Sequence, residues 1–128
     1  MYHRLKLLLL GNDDARNEAL IRLLMNYTNI TCVQHSDELF RLLATGNYDA
    51  VLCEWRIENG NWHDIVNRLE ERFPGLPTVV VSHSGDERKW VEVLAGGGFD
   101  LMAPPYTEQQ IVTLLNRLLW SQGVTCAA

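Results

Sequence analysis

The segment YDAVLCEWRIENG, residues 48–60, ends an apolar run on a carboxylate: Ala50, Val51, Leu52 and Cys53 lead without a break into Glu54. Such a run reads as buried, so Glu54 either surfaces into solvent or floors a site at a strand end. Other apolar runs end on polar residues in the same way. Gly11, Asn12 and Asp13 follow residues 7–10, and Ser82 and His83 follow residues 78–81. Oxygen ligands gathered at strand ends suit a hard divalent cation. A serine beside a histidine suits nucleophilic chemistry, but neighbouring residues on a strand point to opposite faces, so Ser82, His83 and Glu54 make a poor catalytic set. His83 and His35 are expected to face water, since neither has a second histidine at ligand spacing. Asn12 and Asp13 compete for a different role, as N-caps of the helix that follows.

The elements that must position these residues alternate. Short apolar runs at 5–10, 30–34, 49–54, 78–82 and 99–102 are separated by segments of helical period, a pattern of βα units. Runs of Val, Ile and Leu on consecutive positions indicate strands buried on both faces. Residues 15–27 place Ala19, Leu20, Leu23 and Leu24 on one stripe, and residues 38–45 carry Leu39, Phe40, Leu42 and Leu43. A third helix spans 62–73, with Ile65, Val66 and Leu69 inward, and stops at Phe73-Pro74. Ser84 with Glu87 and Thr107 with Gln110 match capping boxes for the fourth and fifth helices. The fourth runs into Gly96, Gly97 and Gly98, which supply a left-handed cap; the fifth buries Ile111, Leu114, Leu115 and Leu118.

Five βα units with right-handed crossovers predict an α/β fold: a three-layer α/β/α sandwich on a five-stranded parallel sheet in the flavodoxin-like order 2-1-3-4-5. Ligands in such folds sit beyond the carboxyl ends of the strands, near the switch between strands one and three. That crevice should collect Glu54, the segment 11–13, Ser82 and His83, and Ala103, Pro104 and Pro105. Residues 1–121 are read as one domain, and 122–128 as a frayed tail or the start of a linker.

The chain has 128 residues, 47% hydrophobic and 21% charged, which suits one soluble domain with its own core. The apolar run at 7–10 is too short for a membrane span and lacks a cleavage site, so the cytoplasm is the expected compartment. Cys32, Cys53 and Cys126 have no C-x-x-C spacing and suggest buried thiols. A net charge of −5 without a basic cluster argues against nucleic-acid binding by this domain alone.

LLLLGNDDARNEALIRLL, YDAVLCEWRI, FPGLPTVVVSHSGDE and VLAGGGFDLMAPPYTEQQI together resemble, over nearly the whole chain, the receiver domain of bacterial two-component response regulators. The resemblance implies a phosphorelay module without enzymatic activity. In that family an aspartate ending strand three takes a phosphoryl group from a histidine kinase. Two acids after strand one hold Mg²⁺ with it, a hydroxyl after strand four contacts the phosphoryl oxygens, and a lysine after strand five balances their charge.

Carried over by position, the phosphoacceptor becomes Glu54, the acidic pair Gly11 and Asn12, the hydroxyl Ser82 and the lysine Pro104. Asp13 lies one residue beyond the pair. The aromatic of strand five, whose rotation reports phosphorylation, becomes Leu101. The resemblance therefore implies a degenerate receiver, with Glu54 hydrogen-bonded to Ser82 and holding one signalling state. No cofactor is expected, and weak Mg²⁺ contact is the most that Asp13 would offer. Pro105 is expected to keep the family's cis proline turn. Partners are expected to be proteins: a histidine kinase, an output domain, another regulator or a second copy. Trp90 and Val93 are the candidate interface, with Trp55 and Trp62 as further aromatics; core packing explains any one of the three tryptophans at least as well. The alternative is a flavodoxin-like binder of a small ligand or nucleotide, disfavoured because GNDDAR after strand one puts acids where a phosphate cradle belongs.

Overall fold

The computed structural model describes residues 4–12, 14–58 and 60–122. Five parallel strands form one sheet: β1 (Lys6–Leu10), β2 (Asn29–Val33), β3 (Ala50–Glu54), and β6 (Thr78–Val81) and β7 (Asp100–Met102). Their order, β2-β1-β3-β6-β7, is the flavodoxin-like order expected for five βα units. Between β3 and β6 the chain adds a two-stranded antiparallel ribbon, β4 (Arg56–Ile57) with β5 (Gly60–Asn61), which is not among the elements predicted from the sequence.

The helices are α1 (Asp14–Met25), α2 (Ser36–Thr45), α3 (Trp62–Arg72), α4 (Glu87–Ala95) and α5 (Glu108–Ser121). Alternation along each strand divides the core in two, because successive side chains leave opposite faces. Leu7, Leu9, Leu52, Val79 and Val81 meet Leu20 and Leu24 of α1 and Ile111, Leu114 and Leu118 of α5. On the other face Leu8, Leu10, Val51, Cys53 and Val80 meet Leu39 and Phe40 of α2, Ile65 and Leu69 of α3, and Val93 of α4. Both faces of β1, β3 and β6 are covered, which is why those strands read as unbroken apolar runs. Strand β2 lies at the edge, and of its five residues only Val33 is buried.

Helix boundaries follow local chemistry. Thr107 and Gln110 form the expected capping box of α5. The box expected at Ser84 does not form: Asp86 is the N-cap of α4 and its carboxylate accepts from the Lys89 backbone N–H at 2.8 Å. A carboxylate adjoining the first turn outcompetes a hydroxyl two residues further out. Asn61 and Asp64 form a box at α3 that the reading missed, although Asn-x-x-Asp was there to be found. Of the three glycines after α4, Gly97 takes the left-handed conformation (φ 97°). Helix α5 ends at Ser121, and of the expected tail, residues 123–128 lie outside the described residues.

Candidate site at the carboxyl ends of the strands

Glu54 is the last residue of β3, paired in register with Val81 of β6, while its neighbour Cys53 faces Leu10 of β1. It is 7% exposed, so the solvated alternative is discarded. Its side chain crosses to β1. A Cβ placed on Gly11 would lie 1.8 Å from Glu54 Oε1, 2.5 Å from Cδ and 2.7 Å from Cγ. The carboxylate thus occupies the volume that a side chain at position 11 would claim. Asn17 of α1, itself buried, donates from Nδ2 to Glu54 Oε1 at 3.1 Å. A buried carboxylate requires such a donor. The sequence reading missed Asn17; its signal was a polar residue three before Leu20 on the stripe that faces the sheet.

Ser82 comes directly after β6 and is buried, its backbone N–H donating to Met102 O at 2.9 Å. The expected Glu54–Ser82 hydrogen bond is not made. Ser82 Oγ gives its single proton to Ser84 O at 2.7 Å and accepts from Lys89 Nζ at 3.1 Å. Lys89 was also missed, since its reach depends on how the loop before α4 folds back.

The other positions scatter. Asn12 is exposed, and Asp13 lies outside the described residues. Leu101 is half-buried against the α2–α3 core. Pro104 is exposed and joined to Pro105 by a cis bond, as the proline pair suggested. It borders a groove of about 380 Å³ shared with Gly85, Asp86, Trp90, Leu101 and Gln110. His83 and His35 are exposed, as expected, and His35 Nδ1 pairs with Glu58 at 2.5 Å.

Trp90 is 43% exposed, and its indole N–H donates to Asp100 Oδ1 at 3.2 Å. Asp100 also accepts from Arg117 of α5, so it joins α4 and α5 at the start of β7. Val93 is a correction: it is fully buried in the core under Gly98, and the apolar residues exposed beside Trp90 are Val91 and Leu94. Helix α4 turns about 100° per residue, which carries position 93 inward and position 94 back out. Trp62 is 1% exposed, which agrees with core packing, the competing reading of this residue.

Burial, and secondarily the Glu54 charge, pushes the Cys53 thiol far above its ordinary range. The same two causes, in the same order, raise Tyr106. Cys53 is buried as expected, whereas Cys32, on the edge strand β2, is exposed; in folded protein at pH 8, Cys53 should therefore resist a thiol reagent that labels Cys32, and rapid labelling of both would contradict this placement. An unfolded thiol ionises near ~8.5 while the folded one stays protonated, so this contribution to stability is complete below that pH and declines as pH rises above it.

No helix of the described residues is long and apolar enough to cross a membrane. The family model for the response regulator receiver domain matches residues 8–116. The response regulator protein FleR of Pseudomonas aeruginosa is 24% identical over 113 residues, covering 88% of this chain and 24% of that protein. The chain thus spans about a quarter of that relative's length. The signal receiver domain of an HD domain-containing protein from Pseudomonas fluorescens Pf-5 superposes with a TM-score of 0.80 at 16% identity, covering 96% of this chain and 92% of that one. The beryllofluoride-activated NtrC4 receiver domain dimer gives 0.78 at 11% identity, covering 91% and 98%.

Proposed function

The chain belongs to the response regulator receiver domain family, and on that premise we propose that it is a degenerate receiver, one that signals through protein contacts without aspartyl phosphorylation. The observation that carries this reading is the Glu54 carboxylate folded over Gly11 and held by Asn17. Phosphoryl transfer needs a metal-bound acceptor aimed at the incoming group, with cations around its oxygens. Glu54 spends an oxygen on Asn17, Gly11 offers no ligand, and Pro104 offers no charge. Among the described residues, no three of His, Cys, Asp and Glu cluster as a metal site. These residues do not fit the Mg²⁺ of the family, and displacement of the acceptor by about an ångström costs on the order of 10²-fold in rate.

Incubation with acetyl phosphate and Mg²⁺ should leave the intact mass unchanged, whereas a stable phosphoryl adduct on Glu54 would refute the proposal. Soaking with beryllofluoride should likewise leave the strand-end site empty.

The working surface on this reading is α4 with β7 and α5, where Trp90, Val91 and Leu94 are exposed. The solved NtrC4 receiver is a dimer, which supports a second copy as one partner. A histidine kinase, an output domain or another regulator in the cytoplasm are the remaining classes. If a second copy is the partner, sedimentation should show concentration-dependent association, weakened about tenfold or more by Trp90→Ala. Wild type that stays monomeric throughout would remove the homodimer and leave the other classes.

A further inference from the structure

Position 104 lacks a lysine, yet a lysine does reach the end of β6, from helix α4. Lys89, in the first turn of α4, donates from Nζ to Ser82 Oγ at 3.1 Å, Ser84 Oγ at 3.0 Å and Ser84 O at 3.1 Å. The ammonium also lies 5.2 Å from the centroid of the Trp55 ring, within cation–π range. All three protons of the ammonium are thereby assigned to neutral oxygens. The backbone N–H of the same residue is the one capped by Asp86, so Lys89 is pinned at both ends. Ser82 Oγ closes the ring through Ser84 O. Its anchor is firm, because Ser82 is buried and its N–H is held by Met102 of β7.

Helix α4 needs such a hold. It buries only Val93, whereas α2 buries Leu39, Phe40 and Leu43, and α3 and α5 bury four residues each. With so little apolar area beneath it, its first turn sits at the low end of local stability. Polar bonds then decide its position.

We infer that Lys89 is a positioning residue that straps the first turn of α4 to Ser82 and Ser84, and thereby sets the orientation of the exposed Trp90, Val91 and Leu94 surface. The strap rests on these bonds alone; only its consequence for partner contact rests on the function proposed above. It also accounts for the Ser82 hydroxyl facing α4 rather than Glu54.

The test is amide hydrogen exchange on the full chain. In Lys89→Met, which keeps the aliphatic stem, amides of residues 89–91 should exchange roughly tenfold faster while those of 111–118 in α5 are unchanged. Ser84→Ala should affect the same segment less, and should add little to Lys89→Met, because the two remove one set of bonds. The Trp55 indole resonance should shift in Lys89→Met as the cation leaves its ring. Unchanged exchange at 89–91 would overturn the strap, as would an equal rise in α5, which signals general destabilisation. Neither readout involves phosphoryl transfer, so an adduct with acetyl phosphate would refute the degenerate reading and leave the strap standing.

Discussion

Trp62→Ala is expected to destabilise the domain by about 3–5 kcal/mol, the range for removing a large aromatic side chain from a packed core. Trp62 is 1% exposed and one of the largest fully buried side chains. Its ring packs 5.6 Å from Trp55 and under Gly96, where a Cβ would come within 2.7 Å of it. It therefore joins the residue that follows β3, α3 and the end of α4 into one body, and its loss leaves a cavity that none of the three can fill without moving. Urea unfolding should show the midpoint falling sharply. Trp90→Ala, at 43% exposure, should change it by under ~1 kcal/mol. Similar costs for the two would contradict the assignment of one tryptophan to the core and the other to the surface.

Gly11→Asp, which puts an acid where the resemblance to the family places one, should harm this protein. The new Cβ would fall 1.8 Å from Glu54 Oε1. Glu54 is the flexible partner and must give way, but it is buried and bonded to Asn17, so it would lose its donor on moving. Overpacking of this kind costs roughly 1–3 kcal/mol, and a second carboxylate beside the first adds like-charge repulsion. In a Glu54→Ala background the volume is free and the repelling charge is gone, so Gly11→Asp should be nearly neutral there. A thermodynamic cycle checks this: strong coupling is the expected result, and costs that add within about 0.5 kcal/mol would show that the two positions do not share space. On this account Gly11 and Glu54 are a matched pair, the missing side chain at one making room for the extra methylene at the other.

That pairing marks the boundary between what the one-dimensional pattern determines and what packing decides. Burial on both sheet faces demands apolar residues at consecutive positions, and a helix packed on a sheet demands them every three or four. Hence residues 5–10, 49–54 and 78–82 read as interior strands, within a residue of their observed ends, and Leu20, Leu39, Ile65 and Ile111 as inward positions, directly from the chain. The order of the five strands follows because crossover handedness leaves few alternatives. The convergence of Glu54, Gly11 and Ser82 at one end of the sheet follows from that order.

Which atoms meet at that end did not follow. The sequence reading aimed Glu54 at Ser82, whereas its rotamer takes it to Gly11 and Asn17, and Ser82 is claimed by Lys89 from seven residues away. Val93 and Leu94 are adjacent in the chain and alike in chemistry, yet one is fully buried and the other 38% exposed. Periodicity carries the face of an element but not the direction of a side chain at its end or the path of a loop. Those depend on close packing among groups distant in sequence, so hydrogen-bond partners at strand tips and the exposed edge of a thinly anchored helix are settled only in three dimensions.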